Sequence, residues 1–454
     1  MPRKQKKEST STPKVYVVSV DMGYGHQRAA YPLQHLAMDS TIIHANNYEG
    51  IPKQDQDIWL SSRKFYEFMS RFKKLPIVGE PAWRLFDQFQ KIQDFYPRRD
   101  LSRPTMQLWS TMNMIKKRQW GKHLIDMLEK DPKPLVTSFF IPAYMADHFN
   151  YSEDIYLIVC DADVSRAWAA YDPKKSRIKY LAPSKRVVER LKQYGVPKEN
   201  IYYTGFPLPL ENIGHKDSEI LKNDLAHRLR RLDPECKYCI KYKDMLEKEL
   251  EVDLHTIPTG GRITLTFAVG GAGAQREIGM VIVKALRGKL LLNQVKINLI
   301  AGTHKHIAQY FHTELERFGL HKELGNSIEI VYAEDKYTYF KKFNEVIRHT
   351  DILWTKPSEL SFYVGLGLPI IMAPPIGSQE FFNRRWLLTI GAAINQETPR
   401  YTDEWLFDWL KSGWFAEAAM HGYFEAAKYG TLNIEKIITH EESEAEEPQV
   451  VLQY

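Results

Sequence analysis

The chain has 454 residues, of which 44% are hydrophobic and 26% are charged. This composition is typical of a globular protein with two or three domains. No apolar run approaches the roughly 20 residues that a membrane span requires, which argues against an integral membrane protein. Three cysteines provide no disulfide framework and favour a reducing, cytoplasmic compartment. The net charge of +6 is compatible with anionic partners without choosing among nucleotides, lipid headgroups and nucleic acid.

The chain begins with a basic, polar stretch and continues into a region of alternating strands and helices. Residues 1–13 have no apolar core, so they predict a disordered arm rather than a secretory signal. Between residues 14 and 208, longer amphipathic pieces separate the strand-like runs KVYVVSV, PLVTSFF, DIYLIVCD, IKYLAPS and NIYYTGF. That alternation predicts βα units around a parallel sheet.

The first of these runs leads into the turn DMGYGHQRAA, which starts at Asp21. A helix is predicted from Gln27, with Pro32 in its first turn, where a missing N–H does no harm. Residues 23–26 then form a strand-to-helix turn, in which glycines let the backbone approach another molecule closely. His26 at this position suits proton transfer near neutral pH. A tight turn with a surface histidine is the alternative.

The region Trp59–Lys122 combines many aromatic residues with the basic runs RFKK, YPRR and IKKR. Aromatic rings suit a bilayer interface, and lysines and arginines pair with anionic headgroups, so this region is a candidate membrane-docking surface. An ordinary helical subdomain with an aromatic core is the first alternative. An RNA-binding surface is the second alternative, although we expect no nucleic acid partner.

Residues 209–260 are rich in charge and lack strand signals, which predicts a helical connector or insertion. Within it, Cys236 and Cys239 form one C-x-x-C, with His227 and His255 in the same connector. Zinc would need all four side chains, and their spacing is not that of a familiar finger. Two reduced cysteines without a metal are therefore the favoured interpretation.

The alternation of strands and helices resumes from residue 261 to 438, with the runs RITLTFAVGG, VKINLIAG, SIEIVYA, DILWTKPS and LPIIMAPP. The first run leads into GGAGAQ at Gly270–Gln275, and a predicted helix follows. Small residues before a helix can hold a diphosphate through backbone N–H groups, although a tight turn is the alternative. The loop lacks both the P-loop ending and the last glycine of a dinucleotide motif. The acidic residues 439–454 predict a tail that is disordered in part.

A third polar segment follows the last strand-like run of this second region. Its turn of proline and glycine, Pro374–Ser378, presents Gln379, Glu380 and Asn383. Hydrogen-bonding side chains beyond the carboxyl end of a strand suit recognition of a hydroxyl-rich ligand. The alternative is that Glu380 and Asn383 only cap the next helix.

In this order, the segments resemble the GT-B glycosyltransferases, in the family-28-like branch of monogalactosyldiacylglycerol synthase, processive diacylglycerol glucosyltransferases and MurG. DMGYGHQRAA is similar to the acceptor-side loop G-x-G-H-x-x-A-A of that branch, and GGAGAQ matches its diphosphate-side glycine loop. TKPSE and GSQEFFN resemble the donor-sugar signatures T-K and G-Q-E-x-x-N, and Leu157–Pro209 looks like the stretch that closes the first domain. The resemblance covers most of both regions.

The resemblance implies an α/β protein with the GT-B fold, in which two Rossmann-like parallel-sheet domains face a central cleft. Residues 14–208 would bind the acceptor and residues 261–438 the donor, with the helices of residues 403–429 packing back across the first domain. The implied reaction is inverting transfer of a hexose from a nucleotide diphosphate sugar, UDP-linked in our interpretation, to a hydroxyl acceptor. A lipid is a candidate acceptor, the anionic membrane surface a candidate partner, and neither a metal nor a cofactor is required.

The resemblance also assigns roles to individual residues. His26 would take the proton from the acceptor hydroxyl or orient it, and Asp161 would orient the acceptor or simply cap a strand end. Gly23, Tyr24 and Gly25 would form the acceptor-side loop. The donor-side residues would be Gly270, Gly271 and Gly273 at the diphosphate, Tyr332 and Ala333 at the base, Glu359 at the ribose, and Gln379, Glu380 and Asn383 at the sugar.

The sequence departs from the family at one informative position. Phe362 stands where the family has a glutamate that binds the ribose, and Glu359, one helical turn earlier, is a candidate substitute. Two other interpretations therefore stay open. One is a non-hydrolysing nucleotide-sugar 2-epimerase, which shares the architecture and needs no acceptor. The other is a catalytically inactive GT-B protein that binds lipid or nucleic acid.

Overall fold

The computed structural model describes residues 14–72, 92–268 and 275–439. The predicted basic arm, most of the predicted acidic tail and residues 73–91 of the aromatic, basic region lie outside the described residues. So does the predicted diphosphate loop, with Gly270, Gly271 and Gly273. Among the described residues, no helix is both long and apolar enough to cross a bilayer.

The described part of the first domain contains a six-stranded sheet in the order β2–β1–β3–β4–β5–β6, and all neighbouring strands run parallel. The central strands are buried throughout, as expected for a sheet with both faces covered. The strands are β1 (Val15–Ser19), β2 (Ala37–His44), β3 (Leu135–Thr137), β4 (Ile155–Ile158), β5 (Lys179–Ala182) and β6 (Ile201–Tyr203).

The described part of the second domain contains another six-stranded parallel sheet, in the order β12–β11–β10–β7–β8–β9. In both sheets the first strand of the domain is an interior strand. The strands that follow it in sequence are added first on one side of it and then on the other, so the strand order reverses next to β1 and next to β7. In such sheets, ligands bind beyond the carboxyl ends of the strands at this reversal. The strands are β7 (Ile263–Ala268), β8 (Val295–Gly302), β9 (Ile328–Tyr332), β10 (Ile352–Thr355), β11 (Ile370–Met372) and β12 (Ala393–Asn395).

Helices join and cover the strands. In the first domain they are α1 (Tyr24–Ala30), α2 (Lys53–Phe72), α3 (Met106–Arg118), α4 (Lys122–Leu128), α5 (Phe140–His148) and α6 (Lys185–Gln193). The connector contains α7 (Leu210–Ile213), α8 (Glu219–Leu232), α9 (Lys237–Lys241) and α10 (Lys243–Leu250). The remaining helices are α11 (Arg276–Ala285), α12 (Arg287–Leu291), α13 (Lys305–Arg317), α14 (Lys336–Arg348), α15 (Ser378–Thr389), α16 (Thr402–Ser412), α17 (Trp414–Glu425) and α18 (Gly430–Ile438).

The two sheets confirm the predicted fold class, because their carboxyl ends face each other across an interdomain cleft. Tyr24, which follows β1, bonds Thr303, which follows β8. Asp161, which follows β4, bonds Asn383 in α15, beyond the end of β11. The chain therefore has the GT-B arrangement of two Rossmann-like parallel-sheet domains, and both sets of strand ends meet at one site.

The connector and the last helix tie the two domains together. Helix α8 packs on the second domain, where the buried Arg228 donates to the carbonyls of Thr350 and Leu366. Helix α18 returns to the first domain, where Thr431 Oγ1 donates to the Leu208 carbonyl. The predicted return by residues 403–429 occurs at the end of that range, where Ala427 packs on the first domain: a Cβ added at Gly205 would lie 2.7 Å from the Ala427 Cβ. Helix α16 stays on the second domain because its Trp405 packs edge-on against Trp354, with ring centroids 5.4 Å apart.

Candidate active site

The turn after β1 differs from its prediction in one respect. Helix α1 begins at Tyr24 rather than at Gln27, so His26 lies in its first turn. Glycine is a poor helix former, which is why the sequence suggested a later start. Gly25 is nevertheless helical, and a Cβ added there would lie 3.4 Å from Glu359 Oε2 of the second domain. Gly23 has a φ of +121°, and no atom of the described residues lies within 4 Å of a Cβ added there.

His26 is held as a neutral base at this turn. Its Nδ1 lies 2.8 Å from the carbonyl oxygen of Ser138, which follows β3. Because a carbonyl can only accept, Nδ1 carries the proton and Nε2 is the basic nitrogen. The His26 side chain is half-buried at the cleft, and its ring packs against that of Phe139 with centroids 4.7 Å apart. This burial lowers the pKa of His26 to about 4, although the Ser138 bond and the charge of Glu359 act in the opposite direction.

The lowered pKa of His26 predicts a pH-dependent contribution to stability. The unfolded chain, with a histidine pKa of 6.5, binds the extra proton at a higher pH than the folded chain, with a pKa of about 4. Stability associated with His26 is therefore lost as the pH falls from 6.5 towards 4. Relative to His26→Gln, the wild type should lose about 1–2 kcal/mol between pH 7.5 and pH 5, roughly 3–5 °C in melting temperature. The measurement is thermal unfolding of both proteins at both pH values. If the difference in melting temperature between them were the same at pH 7.5 and pH 5, the lowered pKa of His26 would be contradicted.

Asp161 and Asn383 connect the two domains at the carboxyl end of β4. The Asn383 amide nitrogen donates to Asp161 Oδ1 at 2.9 Å, and the Ala162 N–H donates to Asn383 Oδ1 at 2.7 Å. The pKa of Asp161 is raised to about 6, mainly by burial and also by the charge of Glu359, while the Asn383 bond acts to lower it. Asn383 is fully buried, so in this structure its amide bridges the domains rather than facing open space.

Glu359 forms an ion pair with Arg28, a residue that was not predicted from the sequence. Arg28 of α1 is 3% exposed, and its Nε lies 3.3 Å from Glu359 Oε1. The guanidinium also donates to the Tyr339 hydroxyl and lies 4.2 Å from the ring centroid of Phe343. This is an interdomain contact, because Glu359, Tyr339 and Phe343 belong to the second domain. A lone arginine in the otherwise apolar segment RAAYPL was the available signal.

The predicted donor-sugar residues lie beyond the end of β11, at the start of α15. Glu380 accepts a hydrogen bond of 2.7 Å from the Ile376 N–H and forms an ion pair with Lys356. Gln379 is half-buried beside it, 3.5 Å from the position of a Cβ at Gly377. The contact with the Ile376 N–H is the helix-capping role that we gave as the alternative for Glu380. The same carboxylate also pairs with Lys356, which follows β10.

The remaining predicted residues take part in backbone contacts or interdomain packing. The Tyr24 hydroxyl accepts from the Thr303 N–H at 2.8 Å, and Gly302 lets it approach, because a Cβ there would lie 2.4 Å from that oxygen. At the predicted base-binding position, the Tyr332 carbonyl accepts from Lys342, and the Ala333 N–H donates to Gly302. These two backbone groups are therefore already engaged in this structure.

Phe362 fills the family's ribose-binding position with a packing contact. It is 3% exposed, and its ring stacks on Phe206 with centroids 4.9 Å apart and an interplanar angle of 9°. Trp386 contacts it from another side at 5.2 Å. Phe362 thus joins the end of the first domain to the second. Glu359, which does reach the cleft, is already paired with Arg28.

The described residues of the predicted membrane-docking region include both buried and exposed aromatic side chains. Trp59 belongs to the core, with its ring 4.7 Å from that of Trp120. On α3, in contrast, Met106 and Trp109 are 68% and 55% exposed, and the helix ends with three basic residues. In the connector, both cysteines are free thiols, and the described residues contain no group of three or more side chains that could hold a metal.

Comparison with known proteins gives structural matches only. No family model and no curated protein matches this chain. Among solved structures, it is similar to Acinetobacter baumannii MurG, with 11% identity over 94% of this chain and 100% of that one and a TM-score of 0.46. It is also similar to the UDP-GlcNAc 2-epimerase of Neisseria meningitidis bound to UDP-GlcNAc, with 13% identity over 94% and 98% and a TM-score of 0.45. A third match is Anabaena HepE in complex with UDP, with 9% identity over 94% and 100% and a TM-score of 0.42.

Proposed function

We propose that the interdomain cleft transfers a hexose, with inversion, from a nucleotide diphosphate sugar to a hydroxyl acceptor. The observation that carries this proposal is the state of His26. Its Nδ1–H is fixed by the Ser138 carbonyl, which leaves Nε2 as the basic nitrogen, and in the same turn no described residue lies within 4 Å of a Cβ added at Gly23. A neutral imidazole held in one tautomer at the junction of two parallel sheets is suited to general-base catalysis. The preference for UDP rests on the sequence resemblance.

In the proposed reaction, the acceptor oxygen forms a bond to the anomeric carbon while the bond from that carbon to the diphosphate oxygen breaks. The diphosphate leaves with the bonding electron pair, and the acceptor proton passes to His26 Nε2. The imidazolium that forms is stabilised by the Ser138 carbonyl and by the negative charge of Glu359, both of which act to raise the pKa of His26. Glu359 would thus assist the proton transfer, and Gln379 and Glu380 would bind sugar hydroxyls.

A nucleotide-sugar 2-epimerase is the second candidate, and the carboxylates of the cleft favour it. The pKa of Asp161 is raised to about 6, mainly by burial, and the nearby carboxylates of Glu359 and Glu380 contribute to the increase. A carboxyl group with that pKa can both donate and accept a proton near neutral pH. Epimerisation requires such groups around the sugar and requires no acceptor.

We further propose that the hydroxyl acceptor of the transferase is a membrane lipid. It is supported by exposed Met106 and Trp109 on α3 and by the basic residues Lys116, Lys117 and Arg118 at the end of that helix. Apolar side chains beside basic ones suit an anionic membrane surface. On this proposal, the protein binds peripherally and receives its acceptor from the bilayer.

The experiment that tests the proposal separates donor binding from turnover. The full chain is first titrated with UDP, GDP, CDP, ADP and dTDP and their common sugars, and binding is followed by thermal shift. We expect selective stabilisation by UDP and one UDP-sugar, by a few °C at about 100 times the Kd. The selected UDP-sugar is then incubated with and without vesicles that contain diacylglycerol and anionic lipid.

Each outcome of the turnover assay has a defined meaning. Release of UDP that depends on the vesicles and yields a glycolipid supports the transferase with a lipid acceptor. Conversion of the sugar to its 2-epimer without vesicles supports the epimerase instead. Failure of every nucleotide to stabilise the protein would overturn both enzymatic proposals and leave the inactive binding protein.

A further inference from the structure

A small cavity of the second domain combines aromatic rings with carboxylates. Its volume is about 300 Å³, and it lies where the chain passes from β12 into α16. None of the described lysines, arginines or histidines lines it, and none of its residues is assigned to the interdomain cleft. We call it the aromatic cavity. The lining residues are Glu397, Thr398, Tyr401, Trp405, Asp408 and Trp409.

The helical repeat places the lining side chains of α16 next to one another. Residues three and four positions apart are neighbours on a helix surface, with Cβ atoms about 5–6 Å apart. Trp405 therefore lies beside both Asp408 and Trp409, and Tyr401 lies one turn before it. Thr398 adjoins the same ring, because its carbonyl accepts a hydrogen bond of 3.2 Å from Trp405 Nε1. Two indole rings and one carboxylate thus border a single small space.

The two tryptophans of the aromatic cavity are held in place by other aromatic rings. Trp405 packs edge-on against Trp354, with ring centroids 5.4 Å apart, and Trp409 packs edge-on against Trp414 at 5.1 Å. Both side chains are half-buried. A ligand would therefore not have to order these rings, which lowers the entropic cost of binding.

Other aromatic rings of this region already bind a cation of the chain. The Arg400 guanidinium carbon lies 5.1 Å from the centroid of the Tyr401 ring, and Lys289 Nζ lies 4.6 Å from that of Phe407. Neither of these cations lines the aromatic cavity. Among the residues that the structure describes, no cation lies over the ring of either tryptophan in the cavity. Tryptophan is the aromatic side chain that binds cations best, so the two most suitable rings are without one.

The carboxylates of the aromatic cavity are not neutralised. Glu397 and Asp408 are both exposed, and neither side chain forms an ion pair or a hydrogen bond with any described residue. The surrounding segment is acidic, although the whole chain has a net charge of +6. Residues 397–411 contain the acids Glu397, Asp403, Glu404 and Asp408 and the bases Arg400 and Lys411. A cation that binds here gains attraction without displacing a charged partner.

These features favour a cation that carries methyl groups instead of N–H groups. A primary ammonium has three donors to satisfy, and the Thr398 carbonyl is already engaged by Trp405. A quaternary ammonium donates no hydrogen bond, and aromatic rings are the groups that proteins use to recognise it. The volume of the cavity is at the lower end of the range for small-molecule sites, which fits a ligand of this size.

We propose that the aromatic cavity binds the quaternary ammonium group of a choline-like ligand. The methyl groups contact the rings of Trp405 and Trp409, and the Asp408 carboxylate balances the positive charge. Tyr401 and Glu397 border the same space and complete the site. The site is separate from the interdomain cleft, so the proposal does not depend on the function proposed for the cleft.

The experiment is isothermal titration calorimetry of the full chain with choline at physiological salt. We expect saturable binding that weakens about 5-fold in Trp409→Leu and about 3-fold in Asp408→Asn. Asp408 is exposed and has no partner among the described residues, so Asp408→Asn should fold. Asp403→Asn is the matched control, because Asp403 is exposed on the same helix and does not line the cavity. It should bind choline as the wild type does.

Two comparison ligands isolate the charge and the methyl groups. The neutral isostere of choline, in which a carbon atom replaces the nitrogen, should bind about 5-fold more weakly or worse, because it retains the shape and loses the charge. Ethanolamine retains a charge and loses the methyl groups, and it should also bind more weakly. Displacement of choline by phosphatidylcholine vesicles would identify a lipid headgroup as a source of the ligand, and no displacement would identify a free solute; both results agree with the proposal.

Three results would overturn the proposal. The first is the absence of saturable binding at about 10 mM choline, a concentration that corresponds to a weak interaction. The second is equal affinity for the neutral isostere or for ethanolamine, which would leave no role for a quaternary ammonium. The third is an equal loss of affinity in Asp403→Asn and Asp408→Asn, which would mean that choline responds to the general charge of the helix rather than to the cavity.

Discussion

Replacement of His26 by alanine should abolish turnover of the UDP-sugar while nucleotide affinity stays unchanged. The variant removes the group that accepts the proton in the proposed reaction, and a positioned general base contributes about 10²–10⁴-fold to a rate. It leaves the residues assigned to the donor in place, because they belong to the second domain. The measurement is kcat for release of UDP, together with the Kd for UDP from calorimetry.

The matched control for this variant is His35→Ala. His35 is an exposed histidine of the 3-10 segment that follows α1, and its Nδ1 lies 3.0 Å from the Pro32 carbonyl. It therefore resembles His26 in sequence neighbourhood and in local bonding, but it lies outside the cleft. Normal kcat in His35→Ala and a loss of about 100-fold or more in His26→Ala would agree with the assignment. A fully active His26→Ala protein would remove His26 from the mechanism.

The sequence predicted the interior strands and the edge strands β6 and β9, but it missed the edge strands β2 and β12. Continuous apolar runs such as DIYLIVCD correspond to β4, which is buried throughout. Strand β2, at the edge of the first sheet, was missed, because its sequence AMDSTIIH carries polar residues in an exposed stretch. Strand β12, at the edge of the second, has only three residues. Edge strands need less burial, so their sequences contain less of the signal on which the prediction depends.

For the candidate site, sequence order indicated which turns meet, but not what the side chains contact there. His26 follows β1 and Asp161 follows β4, two parallel strands of one sheet with β3 between them, so a topological rule places both residues at its carboxyl edge. Asn383, which was predicted to contact a sugar, is fully buried in this structure and bonds Asp161. Arg28 was overlooked because its partner Glu359 is 331 positions away. Contacts of this kind depend on how two domains close, which local patterns do not contain.

The contact between Arg28 and Glu359 provides the second large expected effect. Arg28→Met should lower the stability by about 3–5 kcal/mol, because it leaves the Glu359 carboxylate, 13% exposed, without its cation. The Tyr339 hydroxyl loses a donor as well, and Phe343 loses a cation over its ring. Thermal unfolding should show a decrease of roughly 10 °C, in contrast to Lys122→Met, which breaks an exposed pair with Asp126 and should change little.

A double-mutant cycle distinguishes the ion pair from simple loss of packing. Glu359→Gln alone should also destabilise, because it leaves the Arg28 guanidinium, 3% exposed, without its counter-ion. In Arg28→Met/Glu359→Gln no uncompensated charge remains, so the double variant should be more stable than the sum of the single effects predicts, by about 1–3 kcal/mol. Additive effects would mean that Arg28 acts only through its packing against Tyr339 and Phe343. A coupled result would establish that the charges of Arg28 and Glu359 stabilise each other where α1 contacts the second domain.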